Sequence, residues 1–443
     1  MNELEYFVKK IKELTNGLEE LTIEKQRAII SEINEFLFNY YDGIGTTNKL
    51  GVDRLFVSDF HKYWKNNHKA ILELNIDEGK CTEAAKILHE VYIRTGGKAF
   101  TEIYDTYGLK NEEVCRVRLL TANQDFRGSR SFKELATLYK ENKTIFDEKY
   151  IVNNPSEFVS LIETIKLSQG DKRVNFARKI AQFLLDYKSS PIDIIKCFNN
   201  NVYDFRNALI SYEGAGYGKK KTDMFIRDMV VNKIWTSVSD YQKIDVASDI
   251  NTMKVALRTG ILNSKIPLIS SLLDIFDYQY EYVDYMTSQA WRKVWEKWNE
   301  EFKDIQLSSP SLLDYFLYSV IGKQFCKEIS YTCKCEKGHE YTWFQTRSRK
   351  CVKCEEGNIK SKIEVIAKKL PCESKDPKIA ISNLEFIVKG ICNPEYDSCP
   401  FQELCNKTNK KYISTPKSIS ILGQTGWETA YAKKGSGGGG LMA

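Results

Sequence analysis

The sequence predicts a mostly α-helical protein whose C-terminal part is built around cysteine clusters. Apolar residues recur every three to four positions over long stretches, which is the period of a helix with one buried face. Only 9 of the 443 residues are proline, and runs that alternate apolar with polar residues are few, so we expect little extended sheet. The composition changes at Cys326, because nine of the 12 cysteines lie within residues 326–405, both ends included.

The helical pattern starts at the N-terminus, over residues 3–41, and returns over 82–94. Between them, residues 43–48 are rich in glycine and threonine and predict a loop. We expect residues 1–111 to form an N-terminal helical extension. Further helices are predicted over 132–139, 156–167, 172–187, 203–212, 221–232, 266–276, 288–303 and 311–323.

Composition excludes several classes of protein. No run of about 18 apolar residues predicts a membrane span, and the charged N-terminal segment does not have the apolar stretch of a secretory signal. We therefore expect a cytoplasmic protein, in which clustered cysteines are metal ligands rather than disulfides. The net charge of +6 is too small to indicate a nucleic-acid partner by itself. The glycine-rich residues 433–443 are set aside as an appended linker.

A glycine-rich turn separates two of the predicted helices. Gly216 and Gly218 flank one apolar residue and are followed by Lys219, Lys220 and Lys221. Such a turn lets backbone N–H groups converge at the start of a helix, where a phosphate is favoured. The alternative is a plain turn beside a solvated lysine face, and a Gly-x-Gly pattern alone does not decide between them.

Asp249 stands where a later helix is predicted to begin. Its carboxylate, or the hydroxyl of Ser248, can accept the first free backbone N–H groups of that helix as an N-cap. Taken alone, an aspartate at this position needs no chemical explanation.

Together these segments resemble the helix-hairpin-helix DNA glycosylases, in the endonuclease III-like branch that carries an iron–sulfur cluster. Residues 216–222 are similar to the glycine–hydrophobic–glycine hairpin of that family. Asp249, followed by Val255 and Arg258 at matching offsets, is similar to its essential aspartate. Segments that match in the same order are 118–125, 170–180 and 315–326, so the resemblance covers about residues 112–326 and 390–405.

The resemblance implies a two-lobed fold and a role for each matching residue. Asp249 would be the essential carboxylate, and Lys220 occupies the position of the Schiff-base lysine in members that also cleave the strand. If Lys220 only contacts a phosphate, water attacks instead and the enzyme is monofunctional. Asn123 matches the amide that wedges into the duplex in place of the target base. Residues that would bind DNA from the hairpin are Gly216, Gly218, Lys219 and Lys221.

The last cysteines resemble the family's iron–sulfur loop. Cys392, Cys399 and Cys405 lie within fourteen residues and close with the Cys-x5-Cys spacing of that loop. With Cys326 they give four thiolates, the usual set for a [4Fe–4S] cluster. The middle spacing is wider than in endonuclease III, and Cys372 is an alternative ligand.

An insertion over residues 327–371 carries a second set of metal ligands. It resembles treble-clef or zinc-ribbon fingers, and its ligand types and spacing suit a tetrahedral Zn²⁺ site formed by Cys335, His339, Cys351 and Cys354. Cys333 is the alternative ligand. Basic and aromatic residues surround the insertion, which suits phosphate contact and base stacking as well as it suits a solvated face.

The predicted function is that of a DNA glycosylase, which flips a base out of double-stranded DNA and excises it. We expect a nucleoid-associated monomer that acts on a damaged base in repair or on a modified base in phage DNA. The alternatives are a non-catalytic DNA-binding module and a metal-dependent nuclease, although no cluster of carboxylates accompanies the hairpin. The predicted domains are the extension 1–111, the glycosylase core 112–326, the finger 327–371, the iron–sulfur and C-terminal segment 372–432, and the linker 433–443.

Overall fold

The computed structural model describes residues 3–15, 32, 45–49, 52–56, 69–70, 72–101, 105–124, 130–163, 170–265, 270, 281–326, 331–343, 351, 354, 359–364, 379–380, 399–408 and 420–421. Helices predominate in these ranges and strands are short, as the sequence predicts. None of the described helices combines the length and the apolar character needed to cross a bilayer.

Most of the α-helices in the described part of the chain lie between residues 78 and 301. The described α-helices are α1 (Glu3–Thr15), α2 (Glu78–Thr95), α3 (Lys98–Thr101), α4 (Asn111–Thr121), α5 (Phe132–Glu141), α6 (Glu148–Asn153), α7 (Pro155–Ile162), α8 (Gly170–Asp186), α9 (Val202–Ser211), α10 (Lys219–Val231), α11 (Ile250–Thr259), α12 (Glu281–Glu301) and α13 (Gln402–Thr408).

The strands form small antiparallel sheets. They are β1 (Gly45–Lys49), β2 (Val52–Phe56), β3 (Asn75–Ile76), β4 (Leu262–Asn263), β5 (Tyr331–Cys335), β6 (Glu340–Trp343), β7 (Ile359–Glu364), β8 (Ile379–Ala380) and β9 (Ser420–Ile421). The pairs are β1 with β2, β3 with β4, and β8 with β9, while β5 lies between β6 and β7.

The chain divides into two compact units, each assembled from separate segments. We call residues 89–247 and 295–316 the hairpin unit, and residues 1–88, 248–294 and 317–443 the aspartate unit. The predicted domains follow chain order, whereas these units are discontinuous in sequence.

Aromatic side chains form the core of the hairpin unit. Phe205 on α9 packs against Phe183, Phe225 and Trp235, with ring centroids 5.3–6.4 Å apart. The indole N–H of Trp235 donates to the Ile192 carbonyl at 3.0 Å, so the large ring is buried with its polar atom satisfied. These contacts hold α8, α9 and α10 together, and the glycine hairpin joins the last two.

Buried charges in the hairpin unit are paired. The guanidinium of Arg227 contacts the carboxylates of Asp228 and Asp314, and Arg118 lies 3.6 Å from the other oxygen of Asp228. Removing one partner would leave an uncompensated buried charge, which costs about 3–5 kcal/mol. The network therefore fixes α4 and α10 at defined positions.

In the aspartate unit, α11 packs against α13 and against β4, which pairs with β3. The indole N–H of Trp291 on α12 donates to the Thr252 carbonyl at 3.2 Å, and its ring lies 6.3 Å from that of Phe401. The first turn of α11 is thereby tied to α12 and to the segment that carries the last cysteines.

Most predicted helices are confirmed, with ends displaced by a few residues, but two predictions are wrong. Residues 45–48 form strand β1 rather than a loop, because they pair with β2 in the register Thr46 to Leu55. Residues 311–323 do not form one α-helix. A 3-10 turn, Pro310–Leu313, precedes a π-helix, Phe316–Phe325. Helix α1 confirms the beginning of the predicted helical stretch 3–41, and most of the rest of that stretch and of the predicted helix 266–276 lies outside the described residues.

Candidate functional sites

The hairpin between α9 and α10 depends on glycine at two positions. Gly214 and Gly216 have φ angles of +79° and +73°, a conformation that side chains with a Cβ rarely adopt. A Cβ on Gly216 would also lie 2.6 Å from the ring carbon Cγ of Phe176 on α8. By contrast, nothing lies within 4 Å of a Cβ built on Gly218. The hairpin backbone therefore packs tightly at Gly216 and is open at Gly218.

Helix α10 starts at the open end of the hairpin. Gly218 is its N-cap and supplies no side-chain hydrogen bond, while Lys219, Lys220 and Lys221 form the first turn. Lys219 and Lys220 are exposed, and the Nζ atom of Lys221 donates to the Asn123 carbonyl at 3.1 Å. The structure thus brings the predicted hairpin residues together at one helix N-terminus.

Tyr217, between the two glycines, anchors the hairpin. Its side chain is buried, and its hydroxyl donates to the Leu119 carbonyl at 2.5 Å. Burial raises the pKa of this phenol well above its ordinary value, so it remains a donor at neutral pH. The sequence shows only an apolar residue here, and the hydrogen bond to α4 was not predicted.

Asn123 does not have the geometry expected of a DNA wedge. It is 0% exposed, and its Nδ2 atom donates to the carbonyls of Phe176 and Ala215 at 3.1 and 2.9 Å. A wedge must project its amide into solvent, whereas this amide links three segments inside the hairpin unit. In this structure Asn123 supports the hairpin, and its insertion into a duplex stays a prediction.

Asp249 is the N-cap of α11, as one interpretation of the sequence predicts. Its Oδ1 atom accepts the backbone N–H groups of Asn251 and Thr252 at 2.8 and 2.9 Å. Its Oδ2 atom accepts the side-chain amide of Asn251 at 3.1 Å, and Asp249 remains half-buried. These bonds fix the direction of the carboxylate.

The π-helix packs closely against the first turn of α11, next to Asp249. A Cβ on Gly322, in the π-helix, would lie 2.5 Å from the Cβ of Asn251. Asn251 is thus held between the π-helix and the carboxylate that it contacts. Neither Asn251 nor Gly322 was singled out from the sequence, since nothing local marks them.

Three of the four cysteines predicted to hold iron are described, and they lie near one another in the aspartate unit. Burial raises the pKa of Cys399 well above its ordinary value, and the nearby thiols of Cys326 and Cys405 raise it further. The cationic Arg258, in the last turn of α11, acts in the opposite direction. Cys392 and the alternative Cys372 lie outside the described residues.

The finger brings together the four ligands predicted for zinc. One ligand atom from each of Cys335, His339, Cys351 and Cys354 lies within 4.8 Å of the others, and the group can hold a metal ion such as zinc. The Nδ1 atom of His339 is 3.4 Å from the Cys335 sulfur and 4.0 Å from that of Cys351. The side chain of Cys333 lies outside the described residues.

The groups around Cys335 lower the pKa of its thiol. Burial opposes its ionisation, but N–H groups of His339 and Lys337 and the thiols of Cys351 and Cys354 together lower its pKa. Because the thiolate is the metal-binding form, this shift favours a bound cation.

The chain matches no protein-family model and shows no significant similarity to any curated protein sequence. The resemblance to the glycosylases therefore rests on the motif residues and on their order along the chain. Lys220 belongs to the hairpin unit and Asp249 to the aspartate unit.

Proposed function

We propose that this protein is a DNA glycosylase of the helix-hairpin-helix type, which excises a base from double-stranded DNA. The observation that carries the proposal is the glycine hairpin, which leads into a helix whose glycine N-cap makes no side-chain hydrogen bond and whose first turn is three lysines. A second support is Asp249, whose spacing to Val255 and Arg258 matches that of the family's essential aspartate. It is fixed as an N-cap and is half-buried.

The hairpin suits a phosphate on electrostatic grounds. The N-terminus of a helix carries about half a positive charge, so cations there are unfavourable by roughly 0.3–1 kcal/mol each in the free protein. Helix α10 nevertheless places three lysines and no acidic residue in its first turn. A phosphate bound at this point would offset both the helix dipole and the lysine charges. The open space at Gly218 would let it approach the backbone.

Asp249 is proposed as the catalytic carboxylate. As the bond between the sugar and the base breaks, the electron pair leaves with the base and positive charge develops on the sugar. A fixed carboxylate stabilises that charge without reorganising during the reaction. Water then bonds to the sugar carbon through its oxygen and loses a proton, which neutralises the departing base. If Lys220 attacks instead, its amine nitrogen bonds to that carbon and loses a proton, and the sugar ring opens to a Schiff base that permits strand cleavage.

The cysteines are proposed to hold a [4Fe–4S] cluster through Cys326, Cys392, Cys399 and Cys405. The proximity of the Cys326 and Cys405 thiols to Cys399 fits a shared site. Such a cluster would position the surrounding chain. For the finger we propose a structural Zn²⁺ ion on Cys335, His339, Cys351 and Cys354.

The test of the function is base release from DNA. The purified protein is incubated in EDTA with genomic DNAs, including modified phage genomes, and released bases are identified by mass spectrometry. We expect one class of free base from the wild type and none from Asp249→Asn. Tight duplex binding without any released base would support a non-catalytic DNA-binding module instead.

A further inference from the structure

A stripe of residues on α8 lies directly beside the glycine hairpin. Lys172, Asn175, Phe176 and Lys179 recur at three- and four-residue spacing and therefore share one face of the helix. Phe176 packs against Gly216, while a Cβ on Gly214 would lie 2.9 Å from the amide of Asn175 and 3.3 Å from Cγ of Lys179. We call these four residues the α8 stripe.

The two lysines of the stripe are held by their neighbours. The ammonium of Lys172 lies 5.8 Å from the centre of the Phe176 ring, and the stem of Lys179 packs against Gly214. Lys172 is exposed and Lys179 is half-exposed. Because the hairpin at Gly214 restricts the stem of Lys179, less conformational entropy would be lost when this side chain contacts a ligand.

The stripe and the first turn of α10 are joined through one residue. Asn123 donates to the carbonyls of Phe176 in the stripe and Ala215 in the hairpin, and its own carbonyl accepts from Lys221. One buried residue therefore holds the α8 backbone at Phe176, the hairpin and the first turn of α10 together.

Acidic groups near the stripe are partly engaged. Asp186 accepts hydrogen bonds from Tyr212 and Gln182, and these bonds, followed by the charge of Lys179, lower its pKa. Asp171 and Glu213 are exposed. The basic side chains nevertheless predominate around the hairpin, with Lys172 and Lys179 on one side and three lysines on the other.

We propose that the α8 stripe is a second row of contacts to the DNA backbone, with Lys172 and Lys179 binding phosphates that flank the one held by the hairpin. The inference rests on the proposed function and extends it, since it assigns α8 to the same DNA surface. Phe176 separates the two lysines, and its packing on Gly216 keeps the stripe next to the hairpin.

The experiment measures how duplex binding depends on salt. Each phosphate contact contributes about 0.9 to the slope of log affinity against log salt concentration. An unmodified fluorescent duplex is titrated with wild type and with Lys172→Gln/Lys179→Gln at several salt concentrations. We expect the double variant to lower the slope by about 2 and to bind tens of times more weakly at low salt.

Two matched variants control for charge and for the hairpin. Lys133→Gln/Lys149→Gln removes the same charge from exposed positions on α5 and α6 and should leave the slope nearly unchanged. Lys219→Gln/Lys220→Gln should lower it by about 2. Thermal unfolding of each variant confirms that the fold is retained.

The outcomes separate the two proposals. If the stripe variant matches the wild type while the hairpin variant loses slope, the stripe does not bind DNA and the proposed function stands. If the α5–α6 control lost as much slope as the stripe variant, the loss would come from the change in net charge alone. The proposal that the α8 stripe binds DNA would then be overturned. A wild type that does not bind the duplex would overturn the proposed function and the stripe with it.

Discussion

Asp249 serves local structure and proposed chemistry with the same two oxygen atoms. Its bonds to Asn251 and Thr252 cap α11, and they also hold the carboxylate in one direction. Asparagine caps a helix about as well as aspartate, so a single substitution can separate the two duties.

We expect Asp249→Asn to abolish base release while the melting temperature and the duplex affinity stay near wild type. The chain offers a matched control in Asp147, which caps α6 by accepting the N–H of Tyr150. Asp147→Asn should leave base release unchanged. Wild-type release by Asp249→Asn would remove this carboxylate from the mechanism.

Lys220 distinguishes a bifunctional enzyme from a monofunctional one. If its amine attacks the sugar, borohydride should trap the protein covalently on its DNA, and Lys220→Gln should lose trapping. The neighbouring exposed Lys219→Gln is the control and should still trap. A wild type that releases the base but never traps would make Lys220 a phosphate contact, whose loss lowers the salt slope by about 0.9.

Residue roles could be predicted where their causes are local. The cap at Asp249 and the four finger ligands each follow from spacing along a short segment. As expected, Asp249 caps its helix, and the four finger ligands lie close to one another. The burial of Asn123 could not be predicted, because its partners Phe176 and Ala215 lie 53 and 92 residues away. A side chain that matches a motif can thus have a different role from the one the motif suggests.

The glycine hairpin is an element whose two ends differ. Gly216 combines a positive φ with a close approach to Phe176, whereas Gly218 has a φ of −104° and open space around it. The same substitution should therefore destabilise the protein far more at Gly216 than at Gly218.

Gly216→Ala should lower the free energy of unfolding by about 2 kcal/mol or more, through backbone strain and overpacking. Gly218→Ala should change it by no more than about 0.5 kcal/mol. In urea unfolding, equal losses for the two variants would contradict the packing described at Phe176. Gly218→Ala should nevertheless weaken duplex binding if a phosphate approaches this backbone.

Single substitutions should remove one of the two proposed metal centres and leave the other in place. Cys351→Ser should lose about one zinc per chain and keep iron, while Cys326→Ser should lose iron and keep zinc. Metal content is measured on the purified variants, and Cys197→Ser, at an exposed cysteine, is the control. Wild-type protein that is colourless, free of iron and active would refute the cluster.

At the scale of the whole molecule, one buried carboxylate makes stability depend on pH. Asp223 on α10 pairs with Arg206 on α9, its Oδ2 atom accepting from the guanidinium at 2.8 Å. Burial raises the pKa of Asp223 to about 6, against an ordinary value of 3.8, despite the opposing effect of Arg206. The folded protein therefore holds a proton that the unfolded chain releases between about pH 4 and pH 6.

Since the folded state binds more protons in this window, the contribution of Asp223 to the free energy of unfolding falls as pH rises from about 4 to about 6. Its size is on the order of 2–3 kcal/mol. Asp223→Asn should remove this fall, measured by urea unfolding at several pH values.

Asp240→Asn provides the opposite control. Bonds from Lys243 and Asn201 lower the pKa of Asp240, so this residue stabilises the fold above its unfolded pKa and loses that effect as pH falls. Asparagine tolerates its φ of 62°, so the backbone is unchanged. If the free energy of unfolding had the same pH profile in Asp223→Asn as in the wild type, the raised pKa assigned to Asp223 would be contradicted.

The helical class was predictable from composition and period, but the division into two discontinuous units was not. The pairing of Asn75 with Asn263 and the contact of Cys81 with the Ala290 carbonyl join segments that no local pattern connects. Predicted boundaries such as 111/112 follow motifs along the chain, whereas compact units follow contacts in space.

This discontinuity has a consequence for biosynthesis. Cys81 meets its partner Ala290 209 positions later, which at typical rates of translation corresponds to roughly 10–40 s. During that time the apolar face of α2, buried in the finished unit at Cys81, Ala84, Ala85 and Leu88, leaves the ribosome before the segment that contacts Cys81. This face of the aspartate unit therefore stays uncovered until the segment around Ala290 has been made, and a nascent-chain chaperone would find its binding site there in the interval.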